Sequence, residues 1–141
     1  MASYDDNNIF ARIMRGELPS HKVYETDKVL AIMDLMPQAD GHILVMPKSK
    51  ARNIFDVEPA VLADLMKEVQ YLAKAVKQAF NAEGVLIQQF NEPAAGQTVY
   101  HLHVHIIPRK EGSVMNGHGA DMEKAEVLAA NAEKIRQVLQ G

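Results

Sequence analysis

The sequence of 141 residues contains no cysteine and no tryptophan. The lack of cysteine excludes a disulfide framework, a thiolate zinc site and a cysteine nucleophile. It is compatible with a reducing compartment, and we expect a cytoplasmic protein. Lysine and arginine form no basic block and the formal net charge is −3. This charge pattern argues against non-specific nucleic-acid binding as the main activity, which needs clustered basic residues.

Long apolar runs are also missing, so no segment is expected to cross a bilayer and no membrane partner is predicted. Residues 1–10 have neither a basic region nor an apolar region, and therefore no secretory signal is expected. Hydrophobic residues still make up 48% of the chain. This fraction is enough to close one core at this length, so residues 1–141 are predicted to form a single domain.

Apolar residues recur at helical spacing in three segments, which predicts three helices. The short N-terminal helix is capped by Asp6 or Asn7 and ends at Gly16; the long central helix runs from Pro59 to Gly84; the C-terminal helix runs from about Met122 to Leu139. The intervening segment 109–121 is rich in glycine, and we predict an exposed loop there.

Five apolar segments bounded by turn residues are typical of strands. They are Lys22 to Glu25, Val29 to Asp34, His42 to Met46, Val85 to Asn91 and Val99 to Ile107. Their short connections favour an antiparallel sheet covered on one face by helix, so the predicted fold class is α+β. Since a sheet edge leaves backbone groups unpaired, a symmetric homodimer that extends the sheet is expected.

Three histidines alternate with apolar residues within the last predicted strand. Side chains on a strand alternate faces, so His101, His103 and His105 are expected to share one face. A surface strand with incidental histidines would show the same pattern, but evenly spaced triplets of a rare residue favour a ligand site. His21 and His118 have no histidine at useful spacing, and we interpret both as solvated surface residues.

The segment just before the three histidines has the composition of a phosphate site. Gly96 allows close approach of the backbone, and Asn91, Gln97 and Thr98 offer hydrogen-bond donors. Imidazoles beside a phosphate indicate phosphoryl or nucleotidyl transfer. Metal capture by the imidazoles is the competing interpretation, but a metal site would normally want a carboxylate or a fourth histidine, and the motif itself has neither. No metal site is therefore predicted.

The motif HLHVHII at residues 101–107 resembles the signature of the histidine-triad superfamily of nucleotide hydrolases and transferases. The similarity continues upstream in GQTV at 96–99, in GHILVMP at 41–47, in DLMPQA at 34–39 and in NNIF at 7–10. It covers about residues 7–109, which would form the core, and leaves the loop and helix at 110–141 as an addition. The resemblance implies a five-stranded sheet extended across a dimer and a purine nucleotide as substrate.

The resemblance also implies a role for each histidine. His103 would attack the α-phosphorus and form a nucleotidyl-histidine intermediate, which water then releases as a nucleoside monophosphate. His105 would contact the phosphate and assist the leaving group. His101 and His42 would form a hydrogen-bond network that orients His103, although His42 could equally be a satisfied core histidine.

The remaining implied contacts surround the nucleotide. Asp34 would hold the ribose hydroxyls, and Ile9, Phe10 and Leu35 would form apolar walls around the base. Asp34 could also be an ordinary turn residue, and the three apolar residues would look the same in a plain core. The phosphate-side contacts would be Asn91, Gly96, Gln97 and Thr98. No cofactor is required, although a polyphosphate substrate could bring a divalent cation such as Mg²⁺.

The leaving group is open at this point. Pro108-Arg109 and the helical tail resemble the branch that splits diadenosine polyphosphates, whereas the segment 34–47 resembles equally the phosphoramidase branch. The chain lacks the short tryptophan-containing ending of many phosphoramidases. A nucleotide-binding scaffold with little catalysis and a metal-binding strand protein are the alternatives to an enzyme.

Overall fold

The computed structural model of the chain describes residues 3–117, 119 and 121–141, and His118 lies outside them. The described residues contain three α-helices and five strands in an α+β arrangement. In chain order these are α1 (Ile9–Met14), β1 (Lys22–Glu25), β2 (Val29–Met33), β3 (Ile43–Pro47), α2 (Pro59–Ala79), β4 (Gly84–Gln88), β5 (Val104–Arg109) and α3 (Ala125–Gln140). None of the described helices combines the length and the apolar character needed to span a membrane.

The five strands form one sheet in the order β1-β2-β3-β5-β4, and each neighbouring pair is antiparallel. The predicted hairpin of the first two strands is confirmed. Its turn is stabilised by Thr26, whose hydroxyl oxygen accepts hydrogen bonds from the backbone N–H groups of Lys28 and Val29 at 3.1 and 3.0 Å. A threonine hydroxyl that satisfies two turn amides in this way fixes the hairpin register.

The sheet is covered on both faces, whereas the sequence pattern predicted helix on one face only. Every residue of β2 and β3 is buried. One face packs its larger apolar cluster against α2 and α3, while the other packs a smaller cluster that includes Phe10 and Ile13 of α1. The short N-terminal helix therefore covers part of the second face, and its residue Phe10 lies close to the histidine motif.

At two of the element boundaries that differ from the predicted ones, hydrogen bonds outside the regular helix or strand pattern hold the chain. Helix α1 begins one residue after Asn8, whose side-chain oxygen accepts from the Ala11 N–H at 2.9 Å, so Asn8 and not Asp6 or Asn7 is the cap. Strand β5 begins at Val104, five residues later than predicted. The chain before it is held by other bonds, among them the Leu102 N–H to the Ala51 carbonyl at 2.9 Å.

Candidate active site

Four histidines lie together at the centre of the sheet. His42 directly precedes β3, His101 and His103 precede β5, and His105 lies within β5. His101, His42 and His105 are 0, 0 and 2% exposed, whereas His103 is 8% exposed and so the most accessible of the four. The alternating residues Leu102, Val104 and Ile106 belong to the larger apolar cluster on the other face. The predicted alternation of faces is thus seen even though only part of the motif is a regular strand.

His103 is oriented by the backbone two residues before it. Its Nδ1 lies 2.7 Å from the carbonyl oxygen of His101. A carbonyl oxygen only accepts, so Nδ1 carries the proton of this bond. When the ring is neutral, its other nitrogen, Nε2, is therefore unprotonated and carries the lone pair, which is the form an attacking imidazole needs.

His42 and His105 form a hydrogen-bonded pair whose direction is set by the backbone of Gln38. The Gln38 N–H donates to Nδ1 of His42 at 3.0 Å, so the proton of neutral His42 is on Nε2. This Nε2 lies 2.9 Å from Nδ1 of His105 and donates to it. Neutral His105 consequently carries its own proton on Nε2. At Nε2 of His105, the ring nitrogen that faces away from His42, the pair thus presents an N–H donor and not a base.

His101 is held at both ring nitrogens. Its Nε2 is 2.7 Å from the Pro47 carbonyl oxygen, and its Nδ1 is 2.6 Å from the hydroxyl oxygen of Tyr4. Burial lowers the pKa of His101, and the smaller opposite effects of the Pro47 carbonyl and of Asp56 do not offset it. The ring is therefore neutral near pH 7, with its proton on Nε2.

Asp34 lies against the His42–His105 pair. Its Oδ2 is 3.3 Å from Nε2 of His42 and 4.0 Å from Nδ1 of His105. Its Oδ1 accepts from the Met36 N–H at 2.9 Å, which orients the carboxylate at the end of β2. A carboxylate at these distances stabilises positive charge on either ring. The predicted ribose contact of Asp34 stays a prediction.

Two phenylalanine rings pack edge-on against the histidines. Phe10 lies 4.8 Å from His103, and Phe90 lies 5.4 Å from His105, measured between ring centroids. Phe10 was predicted as a base-pocket wall and Phe90 was not predicted. Ile9 and Leu35 are 51 and 38% exposed, so the structure leaves these apolar side chains at the surface near the site.

The predicted phosphate segment folds into a tight turn, and Gln97 is its anchor. The Gln97 side chain is buried: its Oε1 accepts from the Glu92 N–H at 2.8 Å and from Asn53 at 3.0 Å, while its Nε2 donates to the Arg52 carbonyl at 2.7 Å. Asn91 is likewise engaged, in reciprocal bonds with Gln89 at 2.8 and 2.9 Å. Both side chains thus shape the turn from within.

Gly96 and Thr98 remain on the exposed side of this turn. Gly96 has a φ of 98°, a left-handed conformation that favours glycine. This is the position where the sequence predicted a close approach of backbone to phosphate. The phosphate contacts of all four residues in the turn stay predictions.

The fold supplies the carboxylate that the motif itself lacks, and thereby a set of potential metal ligands. One ligand atom each from Asp34, His42 and His105 lies within 4.8 Å of the others. A metal-bound histidine normally donates from its other nitrogen to an oxygen. In His42 that other nitrogen accepts from Gln38, so Nε2 has no free electron pair in the neutral ring. The observed hydrogen bonds therefore suit a neutral, hydrogen-bonded histidine pair better than a metal site.

The structure adds partners that sequence patterns could not reveal. Gln38 lies inside the segment 34–39 but acts on His42 through its backbone N–H, which no side-chain pattern records. Tyr4 is far from the motif along the chain and matches no spacing rule. The same holds for Asn116, which clamps Gln38: its N–H donates to the Gln38 carbonyl at 2.8 Å, and its carbonyl accepts from Gln38 Nε2 at 3.3 Å. The only available signal for Phe90 was an apolar side chain near the end of the predicted strand Val85 to Asn91, two residues after the observed end of β4.

An open antiparallel sheet whose central strand ends present four linked imidazoles defines a histidine-triad protein, and the family comparison agrees. The HIT domain family matches residues 15–112. Because this match covers more than half of the sequence, the chain belongs to the HIT family.

Relatives and solved structures resemble the chain over most of its length. The crystal structure of a Hit-like protein from Bartonella henselae, described as involved in cell-cycle regulation, superposes with a TM-score of 0.90 at 52% identity and covers 96% of this chain and 99% of that one. An adenosine 5'-monophosphoramidase of Candida albicans is 33% identical over 93% of this chain and 90% of its own. An adenylylsulfatase of Arabidopsis thaliana is 38% identical over 73% of this chain, which spans only 52% of that protein.

Proposed function

We propose that the protein is a nucleotidyl hydrolase that cleaves the bond between the α-phosphorus of a purine nucleotide derivative and its leaving group. The products are a nucleoside monophosphate and the released group. His103 is the nucleophile and forms a covalent nucleotidyl-histidine intermediate. The hydrogen bond between His103 Nδ1 and the His101 carbonyl is the observation that carries this proposal, because it leaves the electron pair on Nε2.

The first half-reaction forms one bond and breaks another at phosphorus. His103 Nε2 attacks, and the bond from phosphorus to the leaving group breaks with its electron pair on the leaving atom. Neutral His105 donates a hydrogen bond from its Nε2 to that atom, and the leaving group takes the proton it needs from solvent water. The positive charge that develops on the His103 ring is stabilised by the His101 carbonyl at Nδ1.

The second half-reaction returns the enzyme to its starting state. Water attacks the phosphorus of the intermediate and releases a proton to solvent, while His105 Nε2 again donates a hydrogen bond to the phosphoryl group. The bond from phosphorus to His103 Nε2 breaks and the monophosphate leaves. Asp34, at 3.3 and 4.0 Å from the two imidazoles of the pair, stabilises the orientation of the pair and thereby of the N–H group that His105 presents in both steps.

We further propose an adenylate with a small leaving group as the preferred substrate, with adenosine 5'-phosphoramidate as its simplest representative. Two relatives are named as an adenylylsulfatase and an adenosine 5'-monophosphoramidase, and the second of these aligns over 93% of the chain. Both names describe adenylates whose leaving group is smaller than a second nucleotide. A diadenosine polyphosphate is the alternative substrate, supported by Pro108-Arg109 and the helical tail.

The test compares both substrates and looks for the intermediate. We expect purified protein to release AMP from adenosine 5'-phosphoramidate, and acid-free quenching followed by mass spectrometry to place one AMP on the peptide that contains His103. The diadenosine polyphosphate should react more slowly, with or without Mg²⁺. Replacement of the nucleophile by alanine in His103→Ala should lower the rate by at least about 1,000-fold, as loss of a covalent nucleophile does.

A matched control is His21→Ala, which removes a half-buried histidine outside the site and should leave both the rate and the adduct unchanged. Nucleotide binding by the wild-type protein without AMP release, and without an adduct, would instead favour the scaffold alternative. Equal rates for wild type and His103→Ala would refute the assignment of the nucleophile.

A further inference from the structure

Tyr4 lies outside every motif of the sequence, yet it contacts the first histidine of the triad directly. Its hydroxyl oxygen is 2.6 Å from Nδ1 of His101, and the two rings meet edge-on with centroids 5.6 Å apart. His101 itself is fully buried. This contact joins two residues separated by 97 positions in the chain.

The direction of the Tyr4–His101 bond follows from the opposite side of the ring. The Pro47 carbonyl can only accept, so the single proton of the neutral His101 ring is on Nε2. Nδ1 therefore holds an electron pair and accepts from the tyrosine hydroxyl. Burial raises the pKa of Tyr4, so its hydroxyl keeps the donated proton at neutral pH.

Side-chain bonds matter here because the first histidine lies outside the strand. Strand β5 begins at Val104, so no ladder bond of β5 fixes residue 101. The backbone carbonyl of His101 is nevertheless the group that orients His103, at 2.7 Å from its Nδ1. Movement of His101 would therefore move the acceptor that keeps the electron pair on the reacting nitrogen.

The segment that carries Tyr4 is itself fastened near the site. Asp6 pairs with Lys50 at 2.7 Å, and the side chain of Asn8 caps helix α1. Two residues further on, Phe10 packs on His103. The N-terminal segment thus contacts the first and second histidines of the triad through two different rings.

We propose that Tyr4 is a positioning residue for the histidine triad, which fixes His101 through a hydroxyl-to-Nδ1 hydrogen bond and thereby sets the orientation of His103. The proposal rests on the proposed hydrolase function for its kinetic consequence. Its structural content does not depend on turnover. In this role Tyr4 acts through His101 and is not itself a catalytic residue.

The variant Tyr4→Phe keeps the ring and removes only the hydroxyl. An unsatisfied acceptor would remain on a buried ring, so we expect kcat for adenosine 5'-phosphoramidate to fall roughly tenfold with little change in KM. The rate of adduct formation on His103 in a single turnover should fall by the same factor. The matched control is Tyr71→Phe, the same change on an exposed face of α2, which should match the wild type.

Nitrogen-15 NMR of the imidazoles reads the hydrogen bond without any turnover. In the wild type, His101 should show a protonated Nε2 and an unprotonated Nδ1, and in Tyr4→Phe the Nδ1 resonance should move downfield while the Nε2 resonance stays. A wild-type His101 protonated on Nδ1 would overturn the proposal, even if Tyr4→Phe failed to fold. Wild-type kcat in a folded Tyr4→Phe protein would overturn it as well.

Failure of this proposal is distinguishable from failure of the proposed function. A wild-type protein that releases no AMP refutes the hydrolase assignment, and the nitrogen spectrum still decides whether Tyr4 fixes His101. An active wild type with unchanged His101 resonances in Tyr4→Phe refutes the positioning role alone.

Discussion

Glu92 holds a backbone conformation that side chains rarely adopt, with a φ of 76° and a ψ of 158°. The turn around it fixes this conformation from several sides. Arg52 binds both carboxylate oxygens, at 2.8 and 2.9 Å, and stacks on Tyr100 at 4.2 Å. Gln97 accepts from the Glu92 N–H. Strain of this kind persists only where the surroundings enforce it, and here it shapes the turn beside the histidines.

The ion pair makes the contribution of Glu92 to stability dependent on pH. Hydrogen bonds from Arg52 and then Asn53 hold the pKa of the Glu92 carboxyl below its ordinary value of 4.5. A carboxyl with a lowered pKa in the folded state stabilises fully above its unfolded pKa and loses that effect as the pH falls through the folded one. We expect the urea midpoint of Glu92→Gln to lie below that of the wild type at pH 7.

The same difference should shrink as the pH falls from 7 through the lowered pKa of Glu92 in the folded protein, because the wild-type carboxyl then becomes protonated too. Urea titrations of both proteins at pH 7 and at a series of lower pH values measure this change. Glu111→Gln, at an exposed position, serves as control and should follow the wild type throughout. A difference between Glu92→Gln and wild type that is independent of pH would show that the ion pair contributes nothing.

Single residues also show the limit of what a sequence can predict. The four histidines and Asp34 could be assigned because their types and spacing match a chemistry. Tyr4 and Asn116 could not, since they act across 97 and 78 positions on a ring and on a backbone group. Contacts of this length depend on the packing of the whole chain, which no local pattern records.

At the scale of elements, the turn before His42 is fitted against the end of α2. Gly41 has a φ of 94°, and a Cβ atom there would lie 2.6 Å from two carbons of the Phe80 ring. Phe80 is the C-cap residue that directly follows α2. This contact packs the C-terminal end of the long helix against the turn that directly precedes His42.

The variant Gly41→Ala should therefore destabilise the fold by about 2–4 kcal/mol, from backbone strain and overlap with the ring together. Denaturant unfolding measures this loss. In Gly84→Ala the added methyl group meets no heavy atom within 4 Å, so this control should stay near the wild type. If overlap matters, Phe80→Ala should partly rescue Gly41→Ala in the double variant; equal stability of both glycine variants would contradict the packing argument.

The element pattern of the sequence was predictable to a large extent. The order and type of all helices and strands, and the faces of β5, followed from periodicity. The late start of β5 did not, because His101 uses its side chain to bind the Pro47 carbonyl at the point where regular pairing with β3 stops. The packing of α1 on the second face of the sheet was not predicted either, since a six-residue helix has too few turns to show where it packs.

For the whole molecule, the two edges of the sheet differ in character. Edge strand β1 has four residues, begins with lysine and ends with glutamate, whereas β4 contains no charged residue. Ile87 of β4 is 44% exposed. Charged and short edges resist pairing with another chain, so we propose that the predicted homodimer forms through β4.

Light scattering coupled to size-exclusion chromatography tests this arrangement. The wild type should elute as a dimer, and Ile87→Arg should shift it towards the monomer because a charge is placed on the pairing edge. Val114→Arg changes an apolar residue that is 90% exposed elsewhere and should remain dimeric. A monomeric wild type would contradict the prediction.

The groups that set the proton positions of the four imidazoles are mostly peptide groups: the N–H of Gln38 and the carbonyls of Pro47 and His101. Side-chain replacement leaves a peptide group in place, so point variants at these three positions would not remove the backbone donor or acceptor itself. Chemical synthesis with an ester in place of the Pro37–Gln38 amide would delete that donor, and it would also weaken the Pro37 carbonyl that accepts from the Asn116 side chain at 3.2 Å. The tautomer of His42 would then be free to change while every side chain of the protein stayed the same.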